Sequence, residues 1–474
     1  MTNIIFMQNS QLQLGYKSSH IIFKTSASSY LTASVTIKRH ALPQAALLLM
    51  LMTLTNYSAA QTMSCIPSVT PAALSSTIPI AVSAVSAVSA VSAVTSATDS
   101  SAASNVAAAI PADISQAAPA VSAVRSAIPS PSVRIMLTGD IVLGNSFAPQ
   151  GDNVVQDIPK DWDQRYFAGV RDVLKQANLV IGNLEGVLTE HQITRKATGT
   201  GRQFAFRSPP RYASLLKEEG FGVLNVANNH AYDFGEVGVR DTLAALEQAK
   251  ITTAGVPGEI KFLNILGLNI AVLGYSYAPW FNSILDLTRS AELVQQAKAQ
   301  GAYVIVTFHA GAEGSSAIWH ADKEEIFMGE NRGNTVAFSR AMIAAGADMV
   351  VGHGPHVLRA AECYQGKPII YSLGNFVGVG GLSAKKFAAV SALLDVSIGL
   401  DGAIQRMDLV PVRFNEQKLP YVDSQALGTR LVNYLGKHAR YAGNFIEFPV
   451  SKPGQQEFDA WYKANKRYAE PLGQ

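Results

Sequence analysis

Residues 221–250 read FGVLNVANNHAYDFGEVGVRDTLAALEQAK and hold three kinds of sequence in a row. Residues 221–226 are a short apolar run of strand length, and Asn228, Asn229 and His230 follow directly. Residues 236–250 then place Val239, Leu243 and Leu246 on one stripe of a helix. A strand that ends in polar residues and leads into a helix is the repeating unit of an α/β domain. In such sheets the loops beyond the strand ends carry the ligand-binding groups.

The same arrangement recurs on both sides of this stretch. Residues 133–137 (VRIML) run into Thr138, Gly139 and Asp140, and residues 177–181 (ANLVI) into Gly182, Asn183, Leu184, Glu185 and Gly186. Residues 303–307 (YVIVT) end in Phe308 and His309, and residues 348–351 in Gly352, His353, Gly354, Pro355 and His356. Residues 367–371 end in Ser372, Leu373, Gly374 and Asn375, and residues 265–273 form one further strand. A second helix over 335–345 groups Val336, Ser339, Met342 and Ile343. Of nine histidines, His230, His309, His353 and His356 all fall just past strand ends. One such histidine is ordinarily structural; four, in company with Asp140, Glu185 and Asn229, are a pattern that chance does not explain. Mixed carboxylate, amide and imidazole donors suit Mn²⁺, Fe²⁺ or Zn²⁺ better than Ca²⁺ or Mg²⁺, and the set is large enough for one ion or two.

Composition narrows the alternatives. Charged residues are 15% of the 474, and much of the deficit lies in an Ala/Ser/Val-rich stretch near the N-terminus. A net charge of +3 comes with no basic run, which speaks against a nucleic-acid partner. Near the C-terminus, Arg430, Lys437, Arg440, Lys463, Lys466 and Arg467 are interspersed with Glu447, Glu457, Asp459 and Glu470, as on a solvated face. Two cysteines, Cys65 and Cys363, exclude a disulfide framework and a thiolate zinc cluster, and two unpaired thiols are expected.

Lys38, Arg39 and His40 precede the apolar run 45–54 and the small residues Ser58, Ala59 and Ala60. This is the layout of a secretory signal over 1–60, cleaved near Ala60 or kept as an anchor. The run is shorter than the roughly 20 apolar residues of a membrane span. Residues 61–132 read as a disordered Ala/Ser/Val/Pro-rich linker, with a tripeptide repeat over 81–94 that keeps no helix or strand face apolar. The folded domain is expected over 133–415, with 416–474 as an extension whose Tyr434, Tyr441, Phe445, Phe448 and Trp461 pack on it.

Taken in order, Gly139-Asp140, Asn183-Leu184-Glu185, the block from Asn228 to Gly235, His309, Gly352-His353-Gly354-Pro355-His356 and the strand end from Tyr371 to Phe376 resemble the CapA family of poly-γ-glutamate capsule biosynthesis proteins. That family is similar to calcineurin-like metallophosphoesterases. The resemblance implies a four-layer sandwich, helices flanking two mixed β-sheets. It implies that Asp140 ligates one ion, that Glu185 bridges, that Asn229 coordinates through its side-chain oxygen, and that His309, His353 and His356 complete the shells. His230 would be the general acid. Asp233 either orients the His230 ring or caps the helix that follows.

The sequence departs from the wider phosphoesterase group, which carries Asp-x-His at the first motif, in having Ile141 and Val142 after Asp140. Its last motif is His-x-x-His, and Ala310-Gly311-Ala312-Glu313-Gly314 lacks the aromatic residues often found after His309. Two functions are implied. One is a metal-dependent hydrolase acting on a phosphoester or related linkage in cell-envelope or capsular polymer. The other is a non-catalytic metal- or polymer-binding component of capsule assembly or export, working with membrane-embedded synthesis proteins. Under either, the protein is exported to the periplasm or cell surface, free or tethered through its N-terminal apolar segment.

Overall fold

A computed structural model describes residues 131–144, 165–196, 204–378, 381–451 and 453–469, with Cys65 and, as backbone only, Asn3–Gln8, Gln11–Gln13 and Ile21–Phe23. The chain divides into one unit of Met1–Thr62 and another of Met63–Gln474. The three short N-terminal strands pair as a small sheet within the first. The apolar run 45–54, the expected cleavage point and the expected linker, apart from Cys65, Pro131 and Ser132, lie outside the described residues. Among the described residues no helix is long and apolar enough to cross a membrane.

In the second unit β1 (Ser132–Ile141), β2 (Leu179–Leu184), β3 (Phe221–Asn225) and β4 (Thr252–Ala254) lie parallel, side by side. The chain then builds a second sheet. Here β5 (Lys261–Ile265) and β6 (Leu268–Ser276) form an antiparallel hairpin, and β6 is followed in parallel by β7 (Tyr303–His309) and β8 (Met349–His353). The edge strand β9 (Ala361–Tyr364) is antiparallel to β10 (Lys367–Ile370), which pairs parallel with β8. Returning to the first sheet, β11 (Asn375–Val377) pairs with the end of β1 and β12 (Val390–Gly399) with its beginning. β13 (Ile404–Phe414) and β14 (Pro420–Val422) extend that edge. Both sheets are therefore mixed.

The two-residue pleat sorts each strand between two cores. Val133, Ile135 and Leu137 of β1 join Ile181, Val223, Ile270, Val272, Ile305 and Val351 in the core between the sheets. On the other pleat, Met136, Val180 and Leu224 meet α1 (Arg171–Leu174), α2 (Tyr212–Glu218) and α3 (Gly235–Gln248) through Leu174, Leu216 and Leu246. Across the molecule, Leu273, Val304 and Val350 meet α4 (Leu287–Ala299) and α5 (Thr335–Ala344) through Leu293, Val336 and Met342. The result is helix, sheet, sheet, helix: the α/β sandwich of four layers that the motifs imply. Near the C-terminus, α6 (Leu427–Lys437) adds Leu427, Leu431 and Leu435 to the inter-sheet core, and α7 (Gln455–Asn465) adds Phe458.

Three details depart from the sequence reading. The single strand expected over 265–273 is part of the β5–β6 hairpin, because Leu266 and Gly267 turn the chain with φ of 50° and 96°. The buried face of α3 is Gly238, Thr242, Ala245 and Leu246, while Val239 and Leu243 are half-buried. Small residues let the helix approach the chain at Leu188, whose backbone N–H donates to Thr242 Oγ1 at 2.8 Å. Third, Cys65 and Cys363 are joined in a disulfide across a separation of 298 residues. Sequence spacing carries no information on such a through-space approach, so the expectation of two free thiols fails.

Gly139 is fixed by close approach. A Cβ there would lie 2.1 Å from the carbonyl oxygen of Gly374, where Asp140 N–H donates to that same carbonyl at 2.9 Å. Gly139→Ala is expected to force β11 away from β1 and lower stability by about 1–3 kcal/mol or more. Urea denaturation measures this, and an unchanged midpoint would contradict the tight β1–β11 contact.

Candidate metal centre

Both sheets deliver their parallel strand ends to one place. The first sheet supplies Asp140 from the end of β1, Glu185 just past β2, and Asn229 and His230 beyond β3. The second supplies His309 and His353, the last residues of β7 and β8, which stand opposite each other in register, and then His356. The structure brings Asp140, Glu185, His230, His309, His353 and His356 together, and Asn229 lines a cavity with His230 beside them.

Asp140 is the hub. Its Oδ1 lies 3.8 Å from His309 Nδ1 and 3.6 Å from His353 Nδ1, and its Oδ2 lies 3.0 Å from His356 Nδ1. Glu185 Oε1 lies 3.4 Å from His356 Nε2, 3.7 Å from His230 Nε2 and 3.8 Å from His309 Nε2. Asp140, Glu185 and His309 each offer a donor atom, all within 4.8 Å of one another. His356 reaches both carboxylates from a left-handed backbone, φ 59°, which a β-carbon makes costly and which the surroundings must hold. Gly354 before it has φ 109° and donates its N–H toward Asp140 Oδ2 at 3.4 Å.

Asn229 Oδ1, His309 Nε2, His353 Nδ1 and both oxygens of Glu185 are buried with no hydrogen-bond partner. Unpaired buried polar atoms are costly, and those of Glu185, His309 and His353, clustered with Asp140, fit the donor set of a divalent cation. The charges are correspondingly displaced. Burial is the largest influence on Asp140 and raises its pKa, but the hydrogen bond and charge of His356, with His309 and His353, outweigh it and hold the carboxyl well below the usual range. Burial pushes Glu185 up, His309 well down, and His353 down to about 4. Burial opposes charge on His356 too, yet Glu185 and Asp140 together raise it well above an ordinary imidazole.

His230 sits at the edge of the centre against the Phe206 ring, 4.1 Å between centroids. Its Nδ1 is 2.8 Å from Asp233 Oδ2 and 3.1 Å from Lys196 Nζ, and Lys196 also pairs with Asp233 Oδ1 at 2.6 Å. The Asp233 contact is the shorter and Lys196 is itself engaged by Asp233 Oδ1, so Nδ1–H donates to Asp233, and Nε2 faces Glu185. Asp233 does not cap α3: its Oδ2 accepts the Phe206 N–H at 2.7 Å, and the cap position, Phe234, makes no side-chain bond. Of the two roles open to Asp233, the geometry is that of a residue that orients the ring.

Several neighbours were missed by sequence reasoning. Asn183 Nδ2 stands 2.8 Å from Asp140 Oδ1 and 3.0 Å from His309 Nδ1, and its Oδ1 accepts from Asn225 at 2.9 Å. Asn375 Oδ1 is 3.0 Å from His356 Nδ1. Both belong to strand ends already marked, and that position was the available signal. Glu313, 3.9 Å from His356 Nε2, and Lys196 come from loops with no such signal.

An α/β sandwich with a buried carboxylate–imidazole centre at the meeting of its strand ends is the class of protein these features define. The bacterial capsule synthesis protein PGA_cap family matches residues 134–379, just over half of the chain, and the chain belongs to that family. It is 29% identical over 324 residues to the capsule biosynthesis protein CapA of Bacillus anthracis, covering 64% of this chain and 72% of that protein. It is 28% identical over 294 residues to the PGA biosynthesis protein CapA of Bacillus subtilis (strain 168), covering 58% and 72%. A probable polyglutamine synthesis accessory protein of Mycobacterium tuberculosis is 28% identical over 228 residues, covering 42% and 57%. Among solved structures, TT1561 of Thermus thermophilus superposes with a TM-score of 0.32 at 11% identity, over 59% of this chain and 98% of that one.

Proposed function

We propose that this protein is a metal-dependent hydrolase, phosphoesterase-like, that works on cell-envelope or capsular polymer or its precursors. The observation that carries the reading is the convergence of unpartnered buried atoms from Glu185, His309 and His353 around Asp140. Asp140, Glu185, Asn229, His309, His353 and His356 would hold one or two Mn, Fe or Zn ions. When bound, the metal supplies Lewis-acid polarisation of a phosphoryl oxygen and an acidified water.

The chain's own residues do the rest. Asp233 holds the His230 ring through Nδ1–H, so that when the ring carries both protons the one on Nε2 is handed to the departing oxygen and Nδ1–H stays on Asp233. The Asn183–Asn225 pair holds Asp140 and His309 in place. Work at the cell envelope is supported by the names of the Bacillus relatives and by the Cys65–Cys363 bond, which belongs to an oxidising compartment. The signal over 1–60, the linker and membrane-embedded partners remain part of this proposal.

The test is the metal content of the purified protein together with its hydrolysis of an aryl phosphodiester. His230→Ala is expected to keep its metal and lose about 10²–10⁴-fold in turnover. His309→Ala and His356→Ala are expected to lose metal; unchanged content in both would remove the ligand assignment. Wild-type protein that holds metal without turning over would instead favour the assembly or export role.

A further inference from the structure

Two cavities open beside the centre, of about 310 and 410 Å³, and share Phe204, His230 and Glu313. They adjoin as two arms of one cleft, the smaller also lined by Asn229 and the larger by His356. The smaller arm is walled by Trp280, which is 47% exposed and stacks on Tyr232 at 4.7 Å and 11°. Tyr232 is itself braced by Arg195, whose guanidinium lies 5.4 Å from the ring centroid. Tyr232 stands between His230 and Asp233 in sequence, so the platform is tied to the same loop as the proton-handling pair. Tyr232 covers one face of the Trp280 ring, and Trp280 is part of the cavity wall.

The charges of this arm are already matched. Arg332 donates to Glu313 at 2.7 Å and pairs with Glu330 at 3.0 Å, and Lys196 pairs with Asp233 at 2.6 Å. Such an arm exerts no net pull on a polyanion. A chain with a charge on every unit and no ring, such as polyglutamate, gains little here. A nucleotide would bring phosphates to an arm whose cations are engaged. A pyranose ring suits it: an apolar C–H face for the indole, and hydroxyl edges for Glu313, Glu330 and Arg332.

Resting on the reading above that this centre acts on envelope polymer, we propose that the Trp280 arm is a saccharide subsite. The substrate class is then a glycan-containing chain, lying across the centre with a sugar ring stacked on Trp280.

Isothermal titration of the full protein with a tetramer of N-acetylglucosamine tests this, with metal content measured on the same samples. Wild type is expected to bind. Trp280→Ala should weaken binding about tenfold or more, as loss of a ring-stacking partner does, and Trp280→Phe should restore most of it. No binding by wild type, or equal binding by Trp280→Ala, would overturn the subsite. Binding of poly-γ-glutamate that falls in Trp280→Ala would overturn it too and assign the arm to an anionic chain. Absent metal with intact Trp280-dependent sugar binding would instead fault only the reading of the centre.

Discussion

Glu185→Gln is expected to strip the centre of divalent metal and, in metal-free protein, to make the chain more stable than wild type. Both carboxylate oxygens of Glu185 are buried without a close hydrogen bond, and burial makes its charge expensive, which the charge of His356, 3.4 Å away, offsets only in part. A glutamine of the same shape removes that charge, while His356 keeps Asp140 Oδ2 at 3.0 Å as its partner. The gain should be no more than about 1 kcal/mol, because the amide is still a buried polar group and the favourable charge of His356 is given up. With metal present the order reverses. Wild type gains about 2.7 kcal/mol at a metal concentration 100 times Kd, and the variant gains nothing. Urea denaturation in chelator and in Mn²⁺ reads both halves. A variant that is less stable in chelator and still holds metal would show that Glu185 is a structural residue.

Arg359→Met should produce the largest loss of fold stability. Arg359 is fully buried and donates through Nη1 and Nη2 to Glu325 at 2.9 and 2.6 Å, and through Nε to the Ala317 carbonyl at 2.8 Å. Glu325 in turn accepts the Ala312 N–H at 3.0 Å. This pair pins the loop between β7 and α5, which carries Glu313 and Arg332 to the cleft. Removing the cation leaves a buried carboxylate unpaired, at a cost of about 3–5 kcal/mol. Adding Glu325→Gln should return much of it, because the uncompensated charge is gone. If the single and double variants unfold at the same urea concentration, the ion pair is not what holds the loop.

Much of the centre was legible before any fold was seen. Asp140, Glu185, Asn229, His230, His309, His353 and His356 each sit just past an apolar run, and the backbone of a parallel sheet sends all such positions to one end. Core faces were legible where one face alone is buried: Val336, Ser339, Met342 and Ile343 of α5 are all buried. On α3, Leu246 is buried and Leu243 packs at the edge of the core as the stripe predicts, while close packing gives the rest of the face to Gly238, Thr242 and Ala245. β12 and β13 were not marked in the sequence, and Asp401 and Asn415 beyond them belong to antiparallel connections rather than to the centre.

Which side chains could act was written in the order of residues, since strand periodicity and the chemistry of each residue type are local properties. Folding in three dimensions was needed to turn Asp233 to His230 and leave α3 uncapped, to bring Cys65 to Cys363, to carry Lys196 and Glu313 to the centre, and to lay Trp280 over Tyr232. Apart from the Asp233–His230 contact, these join residues separated by tens to hundreds of positions. The closing of such loops is set by the packing of two sheets against each other, which no spacing along the chain encodes.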